Sequence, residues 1–189
     1  MMRIITGRAR GTKLDTLEGL NTRPTSERAK EAIFSMIQFE ISDANVLDLF
    51  AGSGQMGLEA LSRGAERATF VDNSREAVAV IGRNVKKTHF ENESVVVNSE
   101  FEQYLKRVAQ KEKYDLVFLD PPYASDALIK SLNGLIRYDL FADNAIVVCE
   151  SGNGELTQIE EIKENFEIIK QAKYGVAYVT IMKPCRSEV

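Results

Sequence analysis

The chain has 189 residues, of which 44% are hydrophobic and 28% charged, with a formal net charge of −4. This balance indicates one soluble globular domain, and no apolar run approaches the ~20 residues that a membrane helix needs. Two cysteines without C-x-x-C spacing and a single histidine give no basis for a disulfide framework, a metal site or a Ser-His-Asp triad. Because the first residues turn basic and polar at once, we expect no signal peptide and a cytoplasmic protein.

The charge is distributed unevenly along the chain. Residues 1–30 contain seven Arg or Lys and three Asp or Glu, a local net charge of +4, so the remainder carries −8. A basic segment on an otherwise acidic body favours a polyanion such as a nucleic acid as partner. Charge alone leaves an ordinary solvated arm as the alternative.

Residues 1–44 are predicted to form an extension made of a hairpin and a helix. Residues 3–6 and 12–16 flank a glycine-containing stretch and could pair as a small hairpin. The sequence "RPT" at 23–25 ends that segment, and a helix follows with Thr25 or Ser26 as its N-cap. Apolar side chains recur along this helix at the spacing of one helical face: Ala29, Ala32, Ile33, Met36 and Ile37.

From residue 45 onward strands and helices alternate, which predicts a doubly wound α/β fold with helices on both faces of a mostly parallel sheet. The predicted strands are 45–50, 68–72, 94–98, 114–120, 145–150, 166–172 and 175–183. The predicted helices are 55–63, one that ends near 87, 100–110, 126–137 and 158–164. The last two strands leave almost no room for a crossover helix, so they should form an antiparallel hairpin at one edge. We therefore expect a single domain of residues 1–189 with a core of residues 45–189.

A glycine-rich loop follows the first predicted strand. In "LDLFAGSGQMG" (47–57), Gly52, Gly54 and Gly57 satisfy G-x-G-x-x-G between a strand and a helix. Asp72 lies 20 residues after Gly52, at the end of the second strand, where an acid can bind ribose hydroxyls. This pattern indicates a nucleotide-type cofactor, either NAD or S-adenosylmethionine.

Asp48 distinguishes these two cofactors. A carboxylate four residues before Gly52 would repel the pyrophosphate of NAD. S-adenosylmethionine has no phosphate at that place and presents an ammonium and a sulfonium, which the same carboxylate attracts. The sequence therefore predicts S-adenosylmethionine as cofactor, S-adenosylhomocysteine as its product, and no metal.

The third strand ends in Asn98, Ser99 and Glu100. Glu100 could accept a hydrogen bond from N6 of the cofactor's adenine. A local alternative also fits, because Ser99 and Glu102 match S-x-x-E, a capping box that would open the next helix. The two interpretations are compatible, since Glu100 is not a residue of the box.

The segment "YDLVFLDPPY" (114–123) runs from a buried strand into an acid, two prolines and a tyrosine. In an open α/β sheet, ligands lie outside the carboxyl ends of the strands, so this segment would face the methyl donor. The Asp120 carboxylate and the Pro121 carbonyl could accept hydrogen bonds from an exocyclic amine of a nucleobase and free its lone pair for attack on the methyl group. The fixed φ of Pro121 and Pro122 would hold these acceptors in place. Tyr123 offers a flat face on which the base could stack.

Four stretches of the chain resemble the bacterial methyltransferases that modify guanine N2 in small-subunit (16S) ribosomal RNA. They are "RIITGRARGTKL" (3–14), "TRPTSERAKEAIFSMI" (22–37), "VLDLFAGSGQMGLEALSRGA" (46–65) and "DLVFLDPPY" (115–123), in the family's order. The N-terminal stretches are the more specific part, because "DPPY" also occurs in adenine-N6 methyltransferases. The resemblance implies the class I methyltransferase fold, a Rossmann-like sheet of seven strands with the reversed hairpin at its edge.

The resemblance also implies roles for individual residues. Glu100 stands where an Asp is expected in the family, a departure that weakens the assignment of the adenine contact. The catalytic residues would be Asp120, Pro121, Pro122 and Tyr123. The cofactor would be bound by Asp48, Ala51, Gly52, Ser53, Gly54, Asp72, Asn73 and Glu100. RNA would be contacted by Arg3, Arg8, Arg10, Lys13, Arg23 and Arg28.

We therefore expect an enzyme that transfers a methyl group from S-adenosylmethionine to N2 of a guanine in 16S ribosomal RNA. It would act as a monomer on ribosomal RNA or on an assembling small subunit. The alternative is an adenine-N6 methyltransferase acting on DNA or RNA, but about 44 residues outside the core are too few for an independent sequence reader. An RNA-binding protein with an inactive cofactor fold is disfavoured, because both the loop and "DPPY" are intact.

Overall fold

The computed structural model describes residues 2–17, 27–123 and 126–185. Seven strands form one sheet in the order β3-β2-β1-β4-β5-β7-β6. Strands β1 to β5 are parallel, whereas β7 pairs antiparallel with both β5 and β6. The strands are β1 Asn45–Asp48, β2 Arg67–Asp72, β3 Ser94–Asn98, β4 Tyr114–Leu119, β5 Phe141–Ser151, β6 Phe166–Tyr174 and β7 Ala177–Pro184. The predicted doubly wound sheet with an antiparallel edge hairpin is confirmed.

Strand β5 departs most from its predicted bounds, because it begins at Phe141 rather than at 145. Phe141 pairs with Tyr114, and the register then shifts before Leu116 pairs with Ile146. The exposed polar residues at 143–144 lie inside this irregular stretch. They interrupt the hydrophobic pattern, which is why the pattern placed the start of the strand too late.

In the described part of the chain, six α-helices cover the two faces of the sheet. Side chains from α1 to α3 belong to the core on one face, and side chains from α4 to α6 belong to the core on the other. None of the described helices has the length and apolar character needed to cross a membrane. The helices are α1 Glu27–Met36, α2 Gln55–Ser62, α3 Arg75–Thr88, α4 Phe101–Arg107, α5 Ala127–Arg137 and α6 Glu160–Asn165, with a 3-10 turn at Glu155–Gln158 before α6.

The alternation of side chains along the central strands determines which face their acids occupy. Val46 of β1 and Phe118 of β4 lie in the core beneath α1 to α3. Asp48 and Asp120 each follow two residues later. Both carboxylates therefore belong to the side of the sheet that α1 to α3 cover.

Helix α1 buries a slightly different stripe from the predicted one. Ile33 and Ile37 are buried as predicted, but Met36 is 37% exposed, so its placement on the buried face was wrong. Phe34 is fully buried instead and packs against Phe118 with the ring centroids 5.7 Å apart. The buried stripe of this helix therefore includes Phe34 and not Met36. The predicted caps Thr25 and Ser26 lie outside the described residues.

The N-terminal arm (residues 2–17) forms the predicted hairpin in a short version. Arg3 and Lys13 make an isolated antiparallel bridge. The Ile4 amide donates to the Thr12 carbonyl at 3.0 Å, and the Leu14 amide donates to the Met2 carbonyl at 3.0 Å. The pairing of 3–6 with 12–16 is therefore confirmed, although it is limited to the residues around this bridge.

A buried carboxylate attaches this arm to the core. Glu59 of α2 is fully buried and accepts hydrogen bonds from the amides of Ile5 at 2.8 Å and Thr6 at 3.0 Å. Its charge is compensated by Lys30 of α1 at 3.4 Å and by Arg63 at 2.9 Å. A carboxylate with no exposed surface needs such partners, because an uncompensated buried charge is strongly unfavourable. The sequence did not predict this cluster.

Candidate active site

Four acids from neighbouring strands lie at one edge of the sheet. Asp48 is the last residue of β1 and Asp72 the last of β2, while Asp120 directly follows β4 and Glu150 lies near the end of β5. These four strands are adjacent and parallel, so their carboxyl ends meet at the same edge. Ligands of doubly wound sheets bind at this edge.

The glycine-rich loop forms a tight turn between β1 and α2. Gly52 has φ +54° and Gly54 has φ +78°, conformations that favour glycine. The Gly54 amide donates to the Ala51 carbonyl at 2.6 Å and closes the turn. Gly57 serves a different purpose, because a Cβ there would lie 2.4 Å from the ring of Phe70. The third glycine thus lets α2 pack closely on β2.

Two predicted cofactor residues hold this loop in place. Asp72 accepts a hydrogen bond from the Gly52 amide at 2.9 Å with one oxygen, and from the Ser74 amide at 2.9 Å with the other. Asp48 accepts a hydrogen bond from the Gly57 amide at 3.1 Å. Both acids therefore contact the turn that would surround the cofactor.

Asp48 is a nearly buried carboxylate, and no described basic side chain forms an ion pair with it. It is 4% exposed, and burial together with the negative charge of Asp72 raises its pKa to about 7, although the hydrogen bond from Gly57 opposes the shift. A cation placed beside Asp48 would favour its charged form. This fits a ligand with a sulfonium and an ammonium better than one with a pyrophosphate.

The end of β3 contributes a small polar group. The side-chain amide of Asn73 donates to both oxygens of Glu100, at 3.1 and 3.3 Å, and Glu100 is exposed. Helix α4 begins at Phe101, and Glu100 occupies its N-cap without a side-chain capping bond. The capping box of Ser99 and Glu102 was therefore wrong, since the Ser99 hydroxyl bonds to the Glu100 carbonyl instead.

The "DPPY" segment continues directly from β4 toward the same edge. Asp120, Pro122 and Tyr123 are exposed, and Pro121 between them is buried. Although Asp120 is accessible, the surrounding protein atoms exclude part of the water that would solvate its carboxylate. The negative charges of Glu150 and Asp48 also repel the ionised form of Asp120. Together these effects raise the pKa of Asp120 above its ordinary value.

Glu150 is a site residue that the sequence prediction missed. It accepts a hydrogen bond from the Tyr123 hydroxyl, and it lines a mostly apolar pocket together with Asp120. A signal was present, because "AIVVCE" is a buried strand that ends in an acid, as the strands of Asp48 and Asp120 do. Only the adjacency of β4 and β5 shows that the acid faces the same pocket.

The basic residues of the arm differ in their surroundings. Arg3 pairs with Glu27 at 3.2 Å. Arg8 pairs with Glu93 at 3.4 Å and lies over the Phe90 ring. The structure thus engages two of the predicted RNA contacts within the protein. Three others, Arg10, Lys13 and Arg28, are exposed and form no ion pair with the described residues. Arg23 lies outside the described residues.

The arm also touches the cofactor loop. Asn84 of α3 is fully buried and donates from its amide to the Ser53 carbonyl at 2.9 Å and to the Asp15 carbonyl at 3.0 Å. The Asp15 amide donates back to Asn84 at 2.7 Å. The Ser53 hydroxyl lies 3.0 Å from the Met2 sulfur. One buried amide thus connects the predicted RNA-binding arm with a predicted cofactor residue.

Comparison with known proteins identifies the family. Residues 2–183 match the family model described as "Conserved hypothetical protein 95". The Ribosomal RNA small subunit methyltransferase D of Haemophilus influenzae is 31% identical over 93% of this chain and 90% of its own length. The protein of the same name from Escherichia coli is 38% identical over 79% of this chain and 74% of its own. The chain belongs to this methyltransferase family.

The fold agrees with that membership. The solved structure of the Escherichia coli protein yhhF superposes with a TM-score of 0.84 at 34% identity, and 97% of each chain is covered. The predicted class I methyltransferase fold and the resemblance to the small-subunit ribosomal RNA methyltransferases are therefore confirmed. The roles of the individual site residues stay predictions.

Proposed function

We propose that this protein transfers a methyl group from S-adenosylmethionine to the exocyclic N2 amine of a guanine in 16S ribosomal RNA. The observation that carries the proposal is the pairing of β1 with β4, which brings Asp48 and Asp120 to one edge of the sheet. Asp48 suits a cationic methyl donor, and Asp120 suits an amine that accepts the methyl group. Relatives named for small-subunit ribosomal RNA methylation support the substrate.

Asp120 and Pro121 would prepare the amine for reaction. The nitrogen of an exocyclic amine is a poor nucleophile, because its lone pair is delocalised into the ring. Hydrogen bonds from the NH₂ group to the Asp120 carboxylate and the Pro121 carbonyl would draw the nitrogen toward tetrahedral geometry. The methylated nitrogen would then release one proton to Asp120 or to water, which balances the transfer. Pro121 and Pro122 fix the backbone of these acceptors, so little reorganisation is needed.

Tyr123 would hold the base against these acceptors. Its side chain is half exposed, so one face of the ring is accessible to a base withdrawn from its stack. Stacking on an aromatic ring contributes about 1–3 kcal/mol per base and does not depend on base identity. We therefore assign to Tyr123 the orientation of the base and to Asp120 the contact with its amine.

The cofactor residues fit S-adenosylmethionine by their chemistry. When bound, it supplies an electrophilic methyl group and leaves as S-adenosylhomocysteine. Asp48 would attract its positively charged part, Asp72 would accept hydrogen bonds from the ribose, and Glu100 would accept one from adenine N6. The loop residues Ala51, Gly52, Ser53 and Gly54 would surround it, and Asn73 would orient Glu100 through the hydrogen bonds described above.

The extension of residues 1–44 would bind the RNA, and residues 45–189 would form the catalytic core. Arg10, Lys13 and Arg28 are exposed and offer positive charge to phosphates. Arg3 and Arg8 would have to exchange carboxylate partners for phosphates. An RNA-binding segment this short fits a substrate that is recognised largely by its folded shape, such as ribosomal RNA or an assembling small subunit. We propose that the protein acts there as a monomer in the cytoplasm.

Nucleoside mass spectrometry tests the proposal. 16S ribosomal RNA from cells with and without the gene is digested, and the purified protein is given labelled donor with small subunits from the deletion strain. We expect N2-methylguanosine to disappear in the deletion strain and to return in the reaction. N6-methyladenosine in its place would favour the alternative enzyme, since "DPPY" serves both amines. No labelled nucleoside in RNA or DNA would refute the enzymatic function.

A further inference from the structure

The side chain of Tyr123 packs against the end of β5 and the residue that follows it. The Tyr123 hydroxyl donates a hydrogen bond to Glu150 Oε1. The ring lies against Gly152, where an added Cβ would stand 2.9 Å from the ring carbon Cδ2 and 3.0 Å from Cγ. The absence of a side chain at Gly152 thus makes room for the ring, while Glu150 holds its far end.

The same carboxylate belongs to the pocket of Asp120. Asp120 and Glu150 line that pocket together with apolar side chains from α1, α2 and the sheet, among them Ile33, Met56 and Phe118. Glu150 therefore contacts the residue that would stack the base and shares a pocket with the residue that would bind its amine.

We infer that Glu150 is a positioning residue for the target base, which orients Tyr123 relative to Asp120 by accepting the hydrogen of its hydroxyl. This inference rests on the proposed function. A half-exposed tyrosine without such contacts would sample several rotamers, and ordering it on substrate binding would cost free energy. Glu150 and Gly152 order the ring in the folded protein, so the base meets a stacking surface already in place.

The charge of Glu150 has a second consequence. Among the described residues, the charges that act on Asp120 come from Glu150 on β5 and Asp48 on β1, and those that act on Tyr123 come from Glu150 and Asp120. These charges are all negative. Neutralising Glu150 should therefore lower the pKa of Asp120, and the ionised form that accepts hydrogen bonds should persist to lower pH.

Steady-state kinetics on small subunits from the deletion strain test the positioning role at a pH above the acid limb, where the effect of Glu150 on the ionisation of Asp120 does not contribute. We expect Glu150→Ala and Tyr123→Phe each to lower kcat/KM roughly 3- to 10-fold, the effect of one hydrogen bond. The double variant should be no worse than either single variant, because both remove the same contact. Glu167→Ala, an exposed acid on β6, is the matched control and should equal the parent. Full additivity of the two substitutions, or a Glu150→Ala variant equal to the parent, would overturn the inference.

The pH dependence separates positioning from a merely structural role. Glu150→Gln keeps an oxygen that accepts the hydroxyl hydrogen but removes the charge. Its kcat should stay within about 3-fold of the parent at high pH, while the acid limb of its kcat/KM profile should move to lower pH. An unshifted limb would refute the electrostatic link between Glu150 and Asp120.

Nitration by tetranitromethane supplies a readout that needs no turnover. The reagent attacks the phenolate, and burial together with the hydrogen bond and charge of Glu150 raises the pKa of Tyr123. Peptide mapping should show Tyr123 nitrated several-fold faster in Glu150→Ala than in the parent, with Tyr174 and Tyr178 unchanged. If the parent methylates no RNA, the proposed function fails, while an equal nitration rate in parent and variant would refute the Glu150 contact itself.

Discussion

Asp72 accepts a hydrogen bond from the Gly52 amide at 2.9 Å, so the acid at the end of β2 holds the glycine loop at the end of β1. Its other oxygen accepts from Ser74, the N-cap residue of α3. A residue assigned to the ribose therefore also shapes the loop around the cofactor. Substituting it should affect ligand binding by both routes.

Asp72→Ala should weaken S-adenosylmethionine binding strongly. Two charge-assisted hydrogen bonds to the ribose contribute roughly 1.5–3 kcal/mol each before compensation by water, and the loop loses a support as well. Calorimetry should show the Kd raised at least 10-fold. Glu76→Ala, an exposed acid in the first turn of α3, is the control and should keep the parent Kd. A Kd that Asp72→Ala leaves unchanged would rule out the ribose role.

Asp120→Ala should abolish methyl transfer and leave the donor bound. The carboxylate is assigned to the target amine, whereas the contacts with the glycine loop come from Asp48 and Asp72. Calorimetry should give a donor Kd within a few-fold of the parent, while turnover with labelled donor should be undetectable. Loss of donor binding with RNA affinity intact would reverse the assignment.

Asp48→Asn should stabilise the fold at high pH while it weakens donor binding. The pKa of Asp48 is raised from its ordinary value near 4 to about 7, so the folded state holds this proton more tightly than the unfolded state. The charged carboxylate therefore destabilises the fold increasingly as pH rises from about 4 to 7, and fully above that. Asn keeps an oxygen for the Gly57 amide without the charge.

Thermal denaturation of Asp48→Asn and its parent should give equal Tm values near pH 4 and a Tm higher by several degrees in the variant at pH 8. Glu91→Gln, at an exposed acid that forms no ion pair with the described residues, is the control, and its Tm difference from the parent should be the same at both pH values. Calorimetry at pH 8 should show weaker S-adenosylmethionine binding by Asp48→Asn. A Tm difference that is the same at both pH values would contradict the charge argument.

The alternating pattern of strands and helices was sufficient to predict the sheet, because burial on two faces imposes hydrophobic strands and amphipathic helices in turn. Asp48, Asp72 and Asp120 could also be predicted, since each follows a hydrophobic strand and parallel strands end together. The contact between Tyr123 and Glu150 could not, because it depends on which strand lies beside β4. The role of Glu59 could not be predicted either, because the amides that bond to this buried charge belong to the arm, more than 50 residues earlier in the chain.

Removing two positive charges from the arm tests whether it contacts RNA phosphates. Arg10 and Lys13 are exposed, whereas Arg8 contacts Glu93 and Phe90, so its loss would also disturb packing. For Arg10→Ala/Lys13→Ala, the slope of log binding constant against log salt should fall by roughly 1.4–1.8, about 0.7–0.9 per phosphate contact. Donor affinity should not change.

A control for the arm removes the same charge elsewhere. Lys106→Ala/Lys111→Ala alters two exposed lysines at and just beyond the end of α4, on the opposite face of the sheet. Its slope should stay close to that of the parent. If both double variants give the parent slope, the arm does not contact phosphates, and the RNA surface must lie elsewhere.

Two glycines of the arm test how it docks on α2. Gly7 and Gly11 have nearly the same positive φ, +88° and +86°, which strains an alanine at either position. Their surroundings differ, because a Cβ on Gly7 would lie 1.8 Å from the Ser62 carbonyl oxygen, whereas nothing lies within 4 Å of one on Gly11. Gly11→Ala should therefore cost only the left-handed strain of about 1–2 kcal/mol, a Tm decrease of a few degrees.

Gly7→Ala should cause the same kind of strain and should also displace the arm, which would break the hydrogen bond from the Arg8 amide to the Ser62 carbonyl at 2.7 Å. Hydrogen exchange should show the Ile5 and Thr6 amides, which bond to Glu59, losing protection in Gly7→Ala alone. Equal Tm values and equal protection in the two variants would mean that the arm does not depend on this close approach to α2.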